Sequence, residues 1–100
     1  MKQIEILTEL PEIIRLLRQN DIQGYNLLNK KMESLNNVIV EFIDRIPEFK
    51  KKSIDVPEDI LLSQINNLVE GYENKDNALL ADTLEYEITE ALLMYQEIAG

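Results

Sequence analysis

The chain has 100 residues and a formal net charge of −9, and it contains neither cysteine nor histidine. This length suits one compact domain, while the missing side chains exclude disulfides, thiol nucleophiles and zinc–thiolate sites and remove the usual general base and metal ligand. Residues 1–52 carry nine Lys or Arg against eight Asp or Glu, whereas residues 53–100 carry one against eleven, so nucleic acid and anionic membranes, which attract cationic surfaces, are not expected partners.

The first predicted hairpin spans about residues 8–46. Apolar spacing predicts a first helix over about residues 8–19, with Pro11 in its first turn or at a bend. A second helix is predicted over about residues 21–46, ending before Pro47, because its apolar residues alternate three and four apart. The apolar residues of the first helix are Leu7, Leu10, Ile14 and Leu17, and those of the second are Tyr25, Leu28, Met32, Leu35, Ile39, Phe42 and Ile46.

A basic linker, residues 47–55, has room for one extra helical turn and leads to the second predicted hairpin, about residues 56–98. Asp55 and Glu58 have capping-box spacing, so a third helix is predicted over about residues 56–73. Asp76 is predicted to cap a fourth helix that extends to about residue 98. Their apolar residues are Leu61, Ile65, Leu68 and Tyr72, then Ala81, Leu84, Ile88, Ala91, Tyr95 and Ile98.

The joints inside the two hairpins resemble each other, since RQNDIQ and ENKDNA are both short, polar and supplied with an aspartate that can cap a helix. Short joints favour antiparallel neighbours. The predicted fold is therefore all-α, an antiparallel up-down four-helix bundle made of two helical hairpins in a single domain. A dimer in which the long helices exchange partners would satisfy the same pattern.

The fourth predicted helix has a second apolar stripe besides the one that faces the core. Leu79, Tyr86 and Leu93 are spaced by seven and cluster on the opposite side of a helical wheel, with acidic residues beside them. A partner-binding surface is therefore predicted at Leu79, Asp82, Glu85, Tyr86, Glu90 and Leu93. The alternative interpretation is that Leu79 packs on the hairpin joint while Tyr86 and Leu93 are scattered surface residues, which is common in soluble proteins.

Motifs for catalysis or metal binding are missing. Asp82 and Glu85 are close enough on a helix to share a cation, but carboxylate bundles that bind metals also use an E-x-x-H histidine. The segment NKDNALLAD lacks the acids and the glycine of a calcium loop, and neither a phosphate-binding glycine loop nor a nucleophile elbow occurs. We therefore expect no enzymatic activity, no catalytic residue, no metal and no cofactor.

The segment YENKDNALLADTLEYEI, residues 72–88, resembles the pattern E-N-K-D-x-x-L-L-A-D-x-L-E-Y-E-L/I of small uncharacterised helical proteins from clostridia and bacilli. The resemblance implies a bacterial source and a helical fold, and it carries no activity. In size, acidity and helix number the chain is also similar to flagellin export chaperones, which clasp the hydrophobic helix of a disordered client. No residue motif supports this second likeness, which concerns fold and composition only.

The function predicted from these features is a non-enzymatic protein-interaction module, either an adaptor or a chaperone-like protein, with another protein as its partner. The alternative is a purely structural homo-oligomer, in which a second copy of the chain covers the second stripe. No apolar run approaches the ~20 residues of a membrane span, and MKQIEILTEL has acids where a signal peptide has a hydrophobic core. We therefore expect a cytoplasmic protein without a membrane partner.

Overall fold

The computed structural model describes residues 3–99, and its all-α architecture confirms the predicted fold class. The first helices are α1 (Ile6–Arg18), α2 (Ile22–Asp44), α3 (Ile46–Lys51) and α4 (Glu58–Glu73). A continuous C-terminal helix over residues 77–99 follows, and it consists of α5 (Asn77–Asp82), a π segment (Thr83–Ile88) and α6 (Thr89–Ala99). The molecule measures 43 × 25 × 19 Å, so its long axis is close to the length of α2, about 35 Å at 1.5 Å per residue.

The first hairpin is tightly packed. Helix α1 begins earlier than predicted, so Pro11 lies inside the helix rather than in its first turn. Asp21 caps α2 as predicted, since its carboxylate accepts a hydrogen bond from the Gln23 amide at 2.9 Å. A Cβ atom at Gly24 would lie 2.7 Å from the backbone nitrogen of Leu17. Glycine therefore lets the backbones of α1 and α2 approach each other closely.

The predicted linker contains α3, which closes one end of the bundle. Phe49 of α3 is fully buried and lies edge-on to Phe42 and Tyr95, at ring-centroid distances of 6.3 and 6.2 Å. Arg45 covers this cluster, with its guanidinium carbon 5.0 Å from the Phe49 ring centre and its Nη1 donating to the Tyr95 hydroxyl at 3.3 Å. The segment therefore contributes Phe49 to the core, whereas its basic residues Lys50, Lys51 and Lys52 are exposed.

The second hairpin differs from the prediction at its start. The capping box of Asp55 and Glu58 does not form, because the helix begins at Glu58 and the N-cap position belongs to Pro57, which leaves Asp55 too far upstream. At the joint, Asp76 caps the C-terminal helix as predicted, accepting a hydrogen bond from the Leu79 amide at 3.1 Å.

Among residues 3–99, three helix ends share one backbone pattern. Asn20, Ser53 and Lys75 have φ values of 55°, 61° and 51°. In each case the amide of the next residue donates to the carbonyl five residues earlier, at 2.9–3.0 Å. This is the Schellman motif, which usually has glycine at the left-handed position. The two predicted joints therefore share a geometry as well as a composition, and the end of α3 repeats it.

Neighbouring long helices run antiparallel. Arg18 near the end of α1 contacts Asp82 near the start of the C-terminal helix, at 3.0 Å. Tyr25 near the start of α2 stacks on Tyr72 near the end of α4, at 5.3 Å between ring centroids. With the two hairpins, these contacts place the long helices in an up-down four-helix arrangement within residues 3–99.

Candidate functional site

The predicted partner-binding residues all lie on the C-terminal helix, but they do not form one stripe. Tyr86 and Leu93 point outward, with exposed fractions of 65% and 43%. Leu79 is half-buried, and its side chain lies 3.3 Å from where a Cβ atom on Gly71 would be, against α4. The alternative interpretation therefore describes Leu79, while Tyr86 and Leu93 are the outward apolar residues of this set.

The π segment explains why Leu79 is separated from the other two. The Thr89 amide donates to the Leu84 carbonyl five residues back, and the Thr89 hydroxyl donates to the same carbonyl at 2.6 Å. A π turn contains more residues than an α turn. A spacing of seven residues across it therefore no longer returns to the same side, and Leu79 is rotated away from Tyr86.

The same segment shifts the buried side of the helix. Leu80, Leu84, Ile88 and Leu92 are spaced by four and are buried, whereas the predicted core residue Ala91 is only half-buried. Ala91 packs against the core as predicted but is less buried than Leu92, which the predicted stripe did not include because it followed an α-helical period throughout. The remaining residues of the predicted core stripe before Ala91 are buried as expected.

Leu93 borders a groove between α1 and the C-terminal helix, which we call the α1 groove, and Tyr86 lies close to one end of it. Two depressions of about 280 and 300 Å³, which share no lining residue, lie along this groove. Leu7, Leu93 and Gln96 are among the residues that line the first. The second is lined by Pro11, Ile14 and Thr89 together with the charged Arg15, Arg18 and Glu85. The groove therefore offers a mainly apolar floor beside the exposed Leu93.

Arg18 pairs with two of the predicted acidic contacts within the chain, and its single positive charge offsets one of their two negative charges. Its Nη1 donates to Asp82 Oδ1 at 3.0 Å and its Nη2 lies 3.4 Å from Glu85 Oε2. The guanidinium carbon also lies 5.8 Å from the centre of the Tyr86 ring. The hydrogen bond to Asp82 raises the pKa of Arg18 above its ordinary value. A basic partner would have to compete with Arg18 for these carboxylates.

Hydrogen bonds also shift the pKa values of two further residues near the α1 groove, Tyr86 and Glu12. Hydrogen bonding to Glu85, followed by the charge of that carboxylate, raises the pKa of Tyr86, so the phenol is protonated at neutral pH. On α1, the hydrogen bond from Arg15 lowers the pKa of Glu12. Glu90 lies exposed on the outer side of the C-terminal helix.

Pro11 gives the α1 groove a backbone feature as well. Proline has no N–H, so the Leu7 carbonyl cannot accept the usual α-helical hydrogen bond from residue 11. Both residues line the groove. The wall formed by α1 therefore contains a carbonyl that lacks this helical donor.

Within residues 3–99, no group of three or more His, Cys, Asp or Glu side chains is arranged to hold a metal ion. None of the helices in that range combines the length and the apolar character needed to cross a bilayer.

A family model described as Domain of unknown function (DUF8042) matches residues 4–98. The chain belongs to this family. The matched range begins just before α1 and ends in the last turn of α6, so the DUF8042 unit includes every long helix of the bundle. No curated protein and no solved structure matches the chain. The family description states no activity, which agrees with the predicted membership of an uncharacterised family.

The DUF8042 bundle has a second apolar surface, the α2–α4 face, which the sequence did not lead us to predict. Val40 of α2 and Leu62 and Val69 of α4 are 45%, 43% and 41% exposed. Leu62 and Val69 are seven residues apart on a regular α-helix, and that spacing was the available signal.

Proposed function

We propose that this DUF8042 chain is a non-enzymatic protein-interaction module that binds a protein segment in the α1 groove. The observation that carries the proposal is the exposure of Tyr86 and Leu93 beside an apolar groove that α1 completes. Aromatic and large aliphatic side chains at the edge of such a groove are typical anchors for a partner segment. Leu7 and Pro11 supply the opposite wall.

The character of the partner segment follows from the charges in the groove. Asp82 and Glu85 are paired with Arg18, so the apolar residues would supply most of the binding free energy. Of the predicted acidic contacts, Glu90 lies farthest along the helix from Arg18. An amphipathic helix fits this surface better than a purely charged segment. This is the chaperone-like form of the proposal, analogous to the clasping of a client helix by a flagellin export chaperone.

The chemistry of the chain supports a role without catalysis. The sequence contains no histidine and no cysteine, the side chains that most often act as general base, thiol nucleophile or metal ligand. The proposed binding of a protein segment needs none of these, and it needs neither a cofactor nor a metal. A cytoplasmic location and a source among clostridia or bacilli belong to the same proposal, as the predicted setting in which a protein partner would be found.

Affinity capture from an extract of the source cells tests the proposal. Wild-type protein and the variants Tyr86→Glu and Leu93→Glu serve as bait, and Ile22→Glu is the matched control because Ile22 is 64% exposed and lies outside the groove. We expect a defined protein to be captured by the wild type and by Ile22→Glu and lost from both groove variants. Equal capture by all four baits would contradict the proposal.

Self-association is the second candidate function. Because Arg18 pairs with Asp82 and Glu85 within the chain, part of the negative charge at the α1 groove is offset, which lowers the repulsion that a second copy would meet there. Light scattering separates the two candidates. A wild-type dimer that Tyr86→Glu converts to a monomer favours the homo-oligomer, whereas a wild-type monomer with groove-dependent capture favours the interaction module.

A further inference from the structure

The α2–α4 face is the less completely covered side of the bundle. Helices α2 and α4 make few close backbone contacts, unlike the other neighbouring pairs of long helices. They meet through side chains, with Tyr25 stacked on Tyr72 at one end, and with Ile39, Ile43 and Ile65 towards the other around a void of only about 10 Å³ that the C-terminal helix also lines. At the outer edge of this pair, Val40, Leu62 and Val69 are exposed.

The apolar stripe that begins in α2 contains both buried and half-buried residues. Leu28, Leu35 and Phe42, each seven residues apart, are buried in the bundle interior. The alternate members of the predicted stripe are only half-buried, and they are Tyr25, Met32, Ile39 and Ile46. Tyr25 contacts Tyr72, and Ile39 lines the same small void as Ile65. Two of the half-buried residues of the stripe therefore meet α4.

Helix α4 extends the apolar surface on its own side. Leu62 is three residues before Ile65, and Val69 is four residues after it, so the three side chains share one side of the helix. Together with Val40 on α2, they form an apolar strip along the outside of the pair. From Leu62 to Val69 the strip covers about two turns of α4, or about 10 Å at 1.5 Å per residue.

The charge around this strip is mainly negative. Residues 32–44 and 58–73 contain seven acids and no lysine or arginine, and Lys75 just beyond α4 lies over the Tyr25 ring, with its Nζ 5.5 Å from the ring centre. Asp59 lies three residues before Leu62, Glu73 lies four residues after Val69, and Asp44 lies four residues after Val40, so acids border the strip along both helices. In the α1 groove, by contrast, Arg18 pairs with Asp82 and Glu85 inside the chain.

We infer that the α2–α4 face is a second binding surface, and that it takes an amphipathic helix with an apolar stripe flanked by lysine or arginine. The half-buried residues of α2 and the exposed residues of α4 would contact the apolar stripe, while the bordering acids would pair with the cationic flanks. A second copy of this chain fits less well, because it would bring an identical acidic border into contact. Anionic lipid and nucleic acid are disfavoured for the same reason.

Binding of synthetic peptides to the full chain tests this inference. The probe is a 16-residue amphipathic peptide, matched in length to α4, with leucines on one side and lysines on its flanks. Two control peptides have the same leucines with glutamate flanks, or the same composition in scrambled order. We expect the lysine-flanked peptide to bind at least about tenfold more tightly than either control, with an affinity that falls as salt rises.

Two protein variants locate the binding. The double variant Leu62→Ser/Val69→Ser should weaken the lysine-flanked peptide by about tenfold or more, while Tyr86→Glu in the α1 groove should leave it unchanged. Circular dichroism checks that both variants keep the helical content of the wild type, and backbone chemical shifts map the contact if the double variant unfolds. Shifts confined to residues 32–44 and 58–73 support the inference.

The outcomes also separate this inference from the proposed function. Loss of peptide binding in Tyr86→Glu would assign the peptide to the α1 groove and overturn a second surface. If the scrambled peptide bound as tightly as the amphipathic one, net charge alone would explain the binding, and the inference of a specific apolar surface would be overturned as well. Light scattering that shows a wild-type dimer dissociated by Leu62→Ser/Val69→Ser would assign the face to a second copy instead.

Discussion

The α1 groove and the α2–α4 face are both apolar, yet the charged residues around them differ. In the groove, Arg18 contacts Asp82 and Glu85, so the chain itself offsets part of the negative charge there. Residues 32–44 and 58–73 themselves contain seven acids and no lysine or arginine. A net charge of −9 therefore says little about either surface until the fold has assigned the cations to one side of the bundle.

Packing between helices also varies within the bundle, as two buried glycines show, Gly24 between α1 and α2 and Gly71 between α4 and the C-terminal helix. A Cβ atom at Gly24 would lie 2.7 Å from a backbone nitrogen of α1, whereas one at Gly71 would meet only leucine side-chain carbons, the nearest at 3.2 Å. We expect Gly24→Ala to lower the free energy of unfolding by about 3 kcal/mol, since backbone atoms must move. We expect Gly71→Ala to stay within about 1 kcal/mol of the wild type, because a gain in helix propensity offsets a small leucine shift.

Chemical denaturation of the two glycine variants checks this difference. Because each variant adds one methyl group to a helix, each is the control for the other. Equal losses of stability would mean that α1 and α2 are packed no more tightly than α4 and the C-terminal helix. The difference in packing described above would then be wrong.

The π segment that separates Leu79 from Tyr86 offers a second test, through two threonines with opposite environments. The Thr83 hydroxyl is buried without a hydrogen-bond partner, while the Thr89 hydroxyl donates to the Leu84 carbonyl at 2.6 Å. Thr83→Val should raise the free energy of unfolding by about 1 kcal/mol, because it removes an unsatisfied polar group. Thr89→Val should lower it by a similar amount.

Thermal or urea unfolding measures both threonine variants under identical conditions. Valine replaces the hydroxyl by a methyl group of similar size, so the two changes differ mainly in the hydrogen bond. If both variants were destabilised equally, the π geometry around Leu84 would not be the arrangement in solution, and the outward placement of Tyr86 would need another cause.

The smallest expected effect concerns protons at the rim of the α1 groove. The hydrogen bond from Arg15 lowers the pKa of Glu12 below its ordinary 4.5. Since the pKa is lower in the folded state, this pair stabilises the fold above the unfolded pKa of Glu12, and the contribution disappears as pH falls through the folded value. Carbon-detected NMR titration of the Glu12 carboxyl should show the lowered pKa, and Arg15→Gln should return it towards 4.5. If the pKa of Glu12 were the same in Arg15→Gln as in the wild type, the hydrogen bond from Arg15 would not be the cause of the lowered pKa.

Local sequence signals predicted the helices well. Asp21 and Asp76 were identified as caps and do accept backbone hydrogen bonds, because a cap depends on two or three neighbouring residues. The apolar spacing in α2 likewise identified Leu28, Leu35 and Phe42 as core residues, and all three are buried. Both signals act within one or two helical turns, which is the range that a sequence pattern reports directly.

Features that depend on distant contacts or on a change of helical period escaped prediction. The pairing of Arg18 with Asp82 joins residues 64 positions apart, and no local pattern reports it. The burial of Phe49 depends on Phe42 and Tyr95 from two other helices. The π segment leaves Leu92 more deeply buried than Ala91, and the sequence alone does not reveal a fifth residue in a turn. The positions of Tyr86 and Leu93 are therefore partly predictable, and the surroundings that define their site are not.

The Schellman ends at Asn20 and Lys75 also bear on how the chain folds. Each is closed by hydrogen bonds within six residues, and each is followed directly by a capping aspartate. Both turns can therefore form before any contact between the hairpins exists. We expect collapse to proceed from two independently nucleated halves, with rapid kinetics typical of short-range topologies, and with the docking of Phe49 as the event that commits one half to the other.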